Sequence, residues 1–152
     1  MKKRTNYKRL GELLVERSVI TAEQLELALA DQKKNSGLLG EILISWGYTT
    51  EESIVGALID QYKFAYIQTS TYQSSEEVIR LIPKEMATRY SLVGLDKFGE
   101  RITVAMSDPL NEEAIIKLEE ETGCAVDPLI TTYTEIMRTI ELHYEVRRPG
   151  SI

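Results

Sequence analysis

Residues 9–32, RLGELLVERSVITAEQLELALADQ, recur at an offset of 29 as residues 38–61, LLGEILISWGYTTEESIVGALIDQ, and ten of the 24 aligned positions are identical. The identities are Leu10/Leu39, Gly11/Gly40, Glu12/Glu41, Leu14/Leu43, Thr21/Thr50, Glu23/Glu52, Ala28/Ala57, Leu29/Leu58, Asp31/Asp60 and Gln32/Gln61; Leu13/Ile42, Val15/Ile44 and Leu25/Ile54 are conservative. A unit of this length cannot bury its own apolar stripe, so the two copies are expected to pack together. No other feature narrows the possible folds as much.

Each copy reads as a short helix, a turn and a longer helix. Leu10, Leu13, Leu14 and Arg17 follow helical spacing, Thr21 with Gln24 forms a capping-box pattern, and Leu25, Ala28 and Leu29 make an apolar stripe. The second copy repeats this with Leu39, Ile42 and Leu43, then Ile54, Ala57 and Leu58; the polar KKNSG segment, residues 33–37, joins the two. A helical core does not require Gly11 and Gly40, where glycine costs roughly 0.5 to 1 kcal/mol against alanine inside a helix and lets a backbone or ligand approach closely. Nor does it require Gln32 and Gln61, which continue the stripes where leucine is expected; they read either as exposed helix ends or as two equivalent contacts in shared use.

Arg-Leu-Gly, paired aliphatics, a turn glycine, and leucines leading to glutamine, twice over with a five-residue spacer, resemble the cyclic di-GMP-binding domain at the amino terminus of type IV pilus and type II secretion ATPases, the MshEN type. Arg9, Leu10, Gly11, Leu14, Val15, Val19, Ile20, Leu25, Leu29 and Gln32 fit the first motif, and Leu39, Gly40, Leu43, Ile44, Gly47, Leu58 and Gln61 fit the second, with Ile54 a near match. Two positions depart from the pattern: Ser18 replaces a glycine, and Leu38 replaces the second arginine. Serine suits a turn because its hydroxyl bonds nearby backbone. Leucine can neither stack as a guanidinium on guanine nor fork onto a phosphate.

The resemblance implies a ligand set of Arg9, Leu10, Gly11, Leu14, Gln32, Leu39, Gly40, Leu43 and Gln61. Backbone N–H groups near the two glycines suit phosphate oxygens, Arg9 adds charge, the leucines offer surface to the purines, and the glutamines can bond base edges. Asp108, in a loop at a strand end, is a further ligand-facing candidate, although capping its own turn is the plainer role.

Beyond residue 62 the period changes. A short strand is expected at 66–68, helices from Ser74 or Ser75 to Ile82 and from Pro83 to Tyr90, and strands at 92–95 and 101–106 joined by DKFGE. A helix then runs from Asn111 to Thr122 with Gly123 as its stop, followed by a strand at 126–131 and a helix from about Thr134 to Glu145. The fold class is therefore α+β: a four-helix tandem repeat over 1–62, a small subdomain with a three- to four-stranded sheet over 63–146, and the start of a linker over 147–152.

The net charge of −6 argues against general nucleic-acid binding. Lys2, Lys3, Arg4, Lys8 and Arg9 stand without an acid in residues 1–11, leaving 13 basic against 24 acidic residues beyond them. An anionic ligand would be drawn to that segment, whereas Lys2–Arg4 read more simply as a solvated terminus. Cys124 reads as a small buried hydrophobe, and His143 without partners gives no metal site. Neither a membrane span nor a secretion signal is visible, which points to the cytoplasm, or to the periphery of the inner membrane through partner proteins.

With no G-x-x-x-x-G-K-[ST] loop in the chain, no catalytic residue and no enzyme activity are expected, and no cofactor beyond the possible ligand cyclic di-GMP. The chain reads as a fragment whose carboxy-terminal ATPase domain lies elsewhere, or as a free-standing regulator. Two functions follow: a cyclic di-GMP-binding module that passes the second-messenger signal to an assembly motor, or a nucleotide-independent module docking on an inner-membrane platform protein of the same machinery.

Overall fold

A computed structural model describes residues 7–144; Lys2–Arg4 and the linker residues Arg147–Ser151 lie outside the described residues. The repeat forms four helices: α1 (Leu10–Glu16), α2 (Ala22–Asn35), α3 (Leu39–Ser45) and α4 (Glu51–Tyr62). Their starts are set locally. Thr21 Oγ1 accepts the Gln24 N–H at 3.0 Å while Gln24 Oε1 accepts the Thr21 N–H at 2.9 Å, and Thr50 Oγ1 accepts the Ser53 N–H at 3.1 Å. Leu13, Leu14, Leu43 and Leu58 have no solvent exposure and form the centre of this unit.

The second unit holds α5 (Glu76–Leu81), α6 (Lys84–Tyr90), β1 (Leu92–Phe98), β2 (Arg101–Met106), α7 (Glu112–Thr122), β3 (Ala125–Ile130) and α8 (Tyr133–Tyr144), with a 3-10 turn at Thr69–Thr71. Ser75 and Asn111 cap α5 and α7, and Gly123, at a φ of 72°, ends α7. The three strands lie in the order β1-β2-β3, β1 antiparallel and β3 parallel to β2. Val78, Ile82, Leu92, Leu95, Ile102, Met106, Leu118 and Ile136 are buried between sheet and helices. The free Cys124 is buried at the start of β3.

Three expectations change in detail. β1 continues to Phe98, leaving a turn at Gly99 and Glu100, because ladder pairing carries on past a register shift between Gly94 and Asp96. The segment 66–68 makes a single bridge, Tyr66 with Ile130, reinforced by the Ile67 N–H to the Ile130 carbonyl at 3.1 Å. β3 begins at Ala125 and ends at Ile130. Among the described residues no helix is long and apolar enough to cross a membrane.

Among the described residues, apolar packing and a helix cap join the units. Leu110 and Ile130 of the second unit are buried with the apolar residues of the repeat. Glu51, at the start of α4, accepts the Thr134 N–H at 2.7 Å and the Thr134 hydroxyl at 2.8 Å. A repeat carboxylate thus caps the start of α8, where a helix leaves backbone N–H groups unpaired and favours negative charge.

Candidate functional site

Gly11 and Gly40 reveal how the copies meet. A Cβ on Gly11 would lie 2.6 Å from Leu25 Cδ1 and 3.2 Å from Leu39 Cδ2, and one on Gly40 would lie 3.5 Å from Ile54 Cδ1 and 3.8 Å from Leu10 Cδ2. Leu25 corresponds to Ile54 and Leu39 to Leu10, so each contact is the counterpart of the other. The copies are therefore related by an approximate twofold in which each helix start receives the leucine that opens the partner helix, the self-complementary pattern of an isologous contact.

Alongside this junction lies a cleft of about 780 Å³. Arg9, Leu10, Gly11 and Gln32 line it from the first copy and Leu39 and Gly40 from the second, while Asp108 lines it from the loop after β2. Leu14 and Leu43, also expected at the ligand, are instead fully buried in the repeat core and absent from the lining. Gln61 is turned elsewhere: its Oε1 accepts from Arg17 Nη1 at 3.3 Å, and Arg17 also pairs with Asp60. Gln32 Nε2 donates to the Gly37 carbonyl at 3.0 Å, closing the linker over the end of α2.

The charge in the cleft is uneven. Arg9 is the cation among the described lining residues, facing the carboxylates of Glu12, Glu41, Glu51, Asp108, Glu112, Glu113 and Glu119. Several of these have donors: Glu12 accepts the Arg9 N–H at 3.2 Å, Glu113 the Tyr90 hydroxyl at 2.9 Å and Glu119 the Val126 N–H at 3.3 Å. Burial pushes Asp108 up to about 6, against the lowering effect of the Leu110 N–H that it accepts at 3.0 Å. That bond is the turn-capping role, and it leaves Asp108 facing the cleft as well. Glu41 is pushed up to about 7, first by burial and then by the neighbouring Glu51.

Residues that no local pattern marked as site residues also line the cleft: Tyr7, Leu25, Leu29, Glu41, Thr131 and Tyr133. Leu25 and Leu29 belong to the apolar stripe, and their incomplete burial was the missing clue. Thr131 and Tyr133 reach the cleft only through the docking of the second unit. Among the described residues no group of histidine, cysteine or acidic side chains could hold a metal ion. His143 is half-buried beside Tyr144, and burial lowers its basicity.

A family model, the MshEN domain, matches residues 62–150, the part of the chain that follows the repeat. The type IV pilus assembly ATPase PilB of Myxococcus xanthus is 32% identical over 142 residues, covering 93% of this chain and 25% of PilB. PilB of Thermus thermophilus is 27% identical over 139 residues, covering 90% of this chain and 16% of PilB. The chain thus spans a quarter or less of these relatives. Among solved structures, MshE with cdg superposes with a TM-score of 0.65 at 29% identity, covering 91% of this chain and 100% of that one. The N-terminal domain of XpsE superposes with a TM-score of 0.70 at 18% identity, covering 93% and 97%, a likeness of fold.

Proposed function

Because this chain belongs to the MshEN domain family, we propose that it is the regulatory module of a type IV pilus or type II secretion ATPase, and that it binds cyclic di-GMP in the cleft between the repeat and the second unit. The observation that carries this reading is the convergence of Arg9, Gly11 and Gln32 with Leu39, Gly40 and Asp108 on one cleft of about 780 Å³. That volume falls within the roughly 300–1,000 Å³ usual for small-molecule sites. The likeness to MshE with cdg supports the same ligand class.

The mechanism follows from the chain's own residues. Two similar half-sites, related by the approximate twofold, suit a ligand that itself consists of two equivalent nucleotides. Arg9 takes a phosphate or stacks on a guanine, and Leu10, Leu25, Leu29 and Leu39 enclose the purines. Occupancy of a cleft lined by both units favours one arrangement of the repeat against the second unit, and Glu51 on α8 ties that arrangement to the rest of the fold. No catalytic step is assigned to this chain. A carboxy-terminal ATPase and an inner-membrane platform protein are its proposed partners, in the cytoplasm.

Leu38 and the many carboxylates favour a second reading, docking on the platform protein without nucleotide. Calorimetric titration with cyclic di-GMP separates the two. The parent chain should bind, Arg9→Ala should lose about tenfold to a hundredfold, the worth of one charge-assisted hydrogen bond of about 1.5 to 3 kcal/mol, and Leu38→Arg should bind more tightly. No binding at high micromolar ligand would leave the docking reading in its place.

A further inference from the structure

The second copy's end of the cleft lacks the guanidinium that Arg9 gives the first, because Leu38 occupies that position. Three other groups line the same cleft. Thr131 lines the cleft with no solvent exposure, and its Oγ1 has no hydrogen-bond partner among the described residues. Its backbone is fixed, the N–H donating to the Met106 carbonyl at 3.1 Å. A buried hydroxyl left unpaired is costly, and its place in the cleft lining points to a partner supplied by a ligand. Tyr133, two residues on, lines the same cleft and is half-buried. Burial and then the charge of Glu41 push its hydroxyl up. Glu41 is itself half-buried, and no donor among the described residues bonds to its carboxylate.

We propose that Thr131, Tyr133 and Glu41 form the second half-site, in which the Glu41 carboxylate and the Thr131 hydroxyl read the edge of a guanine and the Tyr133 ring packs on its face. This rests on the cyclic dinucleotide reading above. Guanine presents adjacent N–H donors at N1 and N2, which match the two oxygens of a carboxylate, and acceptors at O6 and N7, which match a hydroxyl donor. Adenine lacks the N1 and N2 donors, so the pocket selects guanine. The second unit thereby supplies what the second copy of the repeat has lost, and ligand binding requires both units.

Proton release accompanies binding. The groups facing Glu41 are Glu51 of α4 and Tyr133 of α8, with Arg9 and Glu12 of α1 in the same cleft. Burial and Glu51 hold the free carboxyl near 7, and N–H donors stabilise its charged form. Affinity therefore falls as pH drops below about 7, by up to about tenfold per unit, and Glu41→Gln removes that dependence down to about pH 6, where Asp108 of the same cleft titrates.

The test titrates the full chain, Thr131→Val and Glu41→Gln with cyclic di-GMP and with cyclic di-AMP, and records Tm for each. Thr131→Val is expected to weaken cyclic di-GMP binding about tenfold while leaving Tm unchanged or raised, since valine removes the unpaired hydroxyl. Glu41→Gln is expected to reduce the preference for cyclic di-GMP over cyclic di-AMP by about tenfold or more. Parent binding with unchanged affinity and preference in both variants overturns the half-site and leaves the cyclic di-GMP reading standing. Loss of Tm together with binding in Thr131→Val shows a structural hydroxyl and overturns its role at the ligand. A parent that binds neither nucleotide overturns both.

Discussion

Leu29 and Leu58 hold the same place in the two copies of the repeat, yet Leu29 is 45% exposed on the cleft and Leu58 is wholly enclosed. The same divergence separates Gln32, which faces the cleft, from Gln61, which Arg17 holds outside it. Arg17 has no counterpart in the second copy, where Trp46 stands. Buried residues on α2 number one, Ala28, against Ile54, Ala57 and Leu58 on α4. One sequence pattern therefore builds a deeply buried helix in the second copy and a more exposed one in the first, and both line the cleft. Duplication supplied the symmetry, and the neighbours of each copy decided what it is used for.

The sharpest break in that comparison is at the paired leucines. Leu58→Ala should destabilise the chain by about 2 to 5 kcal/mol, through lost burial and a cavity, whereas Leu29→Ala should cost under about 1 kcal/mol. Urea unfolding of both variants checks this, and equal losses would mean that both helices are deeply buried.

The glycines come next. Gly11→Ala would push a methyl group against Leu25 Cδ1, 2.6 Å away, and should cost about 1 kcal/mol as that side chain shifts. Gly40→Ala meets its nearest side-chain atom at 3.5 Å, an ordinary contact, and should be neutral or stabilising by up to about 1 kcal/mol through helix propensity. Opposite signs in thermal denaturation sharpen the asymmetry, and a shared sign removes it.

The smallest effect separates Glu41 from its twin Glu12. Glu41 is raised from 4.5 to about 7 in the folded state, so its contribution to stability is fully present below 4.5 and is lost as pH rises through about 7. Glu41→Gln should accordingly raise Tm at about pH 8 and leave it nearly unchanged at about pH 4.5. Because the side chain is half exposed, solvent screening limits the gain to about 1 kcal/mol, or about 2–4 °C. A Tm gain equal at both values would show that titration of Glu41 is not its source.

Much of this fold depends on interactions between near neighbours in the chain, and those were legible. The repeat itself, the caps at Thr21, Thr50, Ser75 and Asn111, the stop at Gly123 and the alternation of helices and strands beyond residue 62 all rest on bonds or spacings within a few residues. Burial in a packed interior and pairing between distant segments depend on the whole chain. The extension of β1 to Phe98 needed its partner β2, and the enclosure of Leu14 and Leu43 needed the opposite copy. The choice between Gln32 and Gln61 needed Arg17, 44 residues away from Gln61. The cap of Glu51 on α8 spans 83 residues, and it accompanies the docking that brings Thr131 and Tyr133 to the cleft. The sequence by itself determined which residues are equivalent, because equivalence is a matter of spacing. Only the tertiary structure decided that Leu29 and Gln32 face the cleft while Leu58 and Gln61 do not, because that depends on contacts with segments far away in the chain.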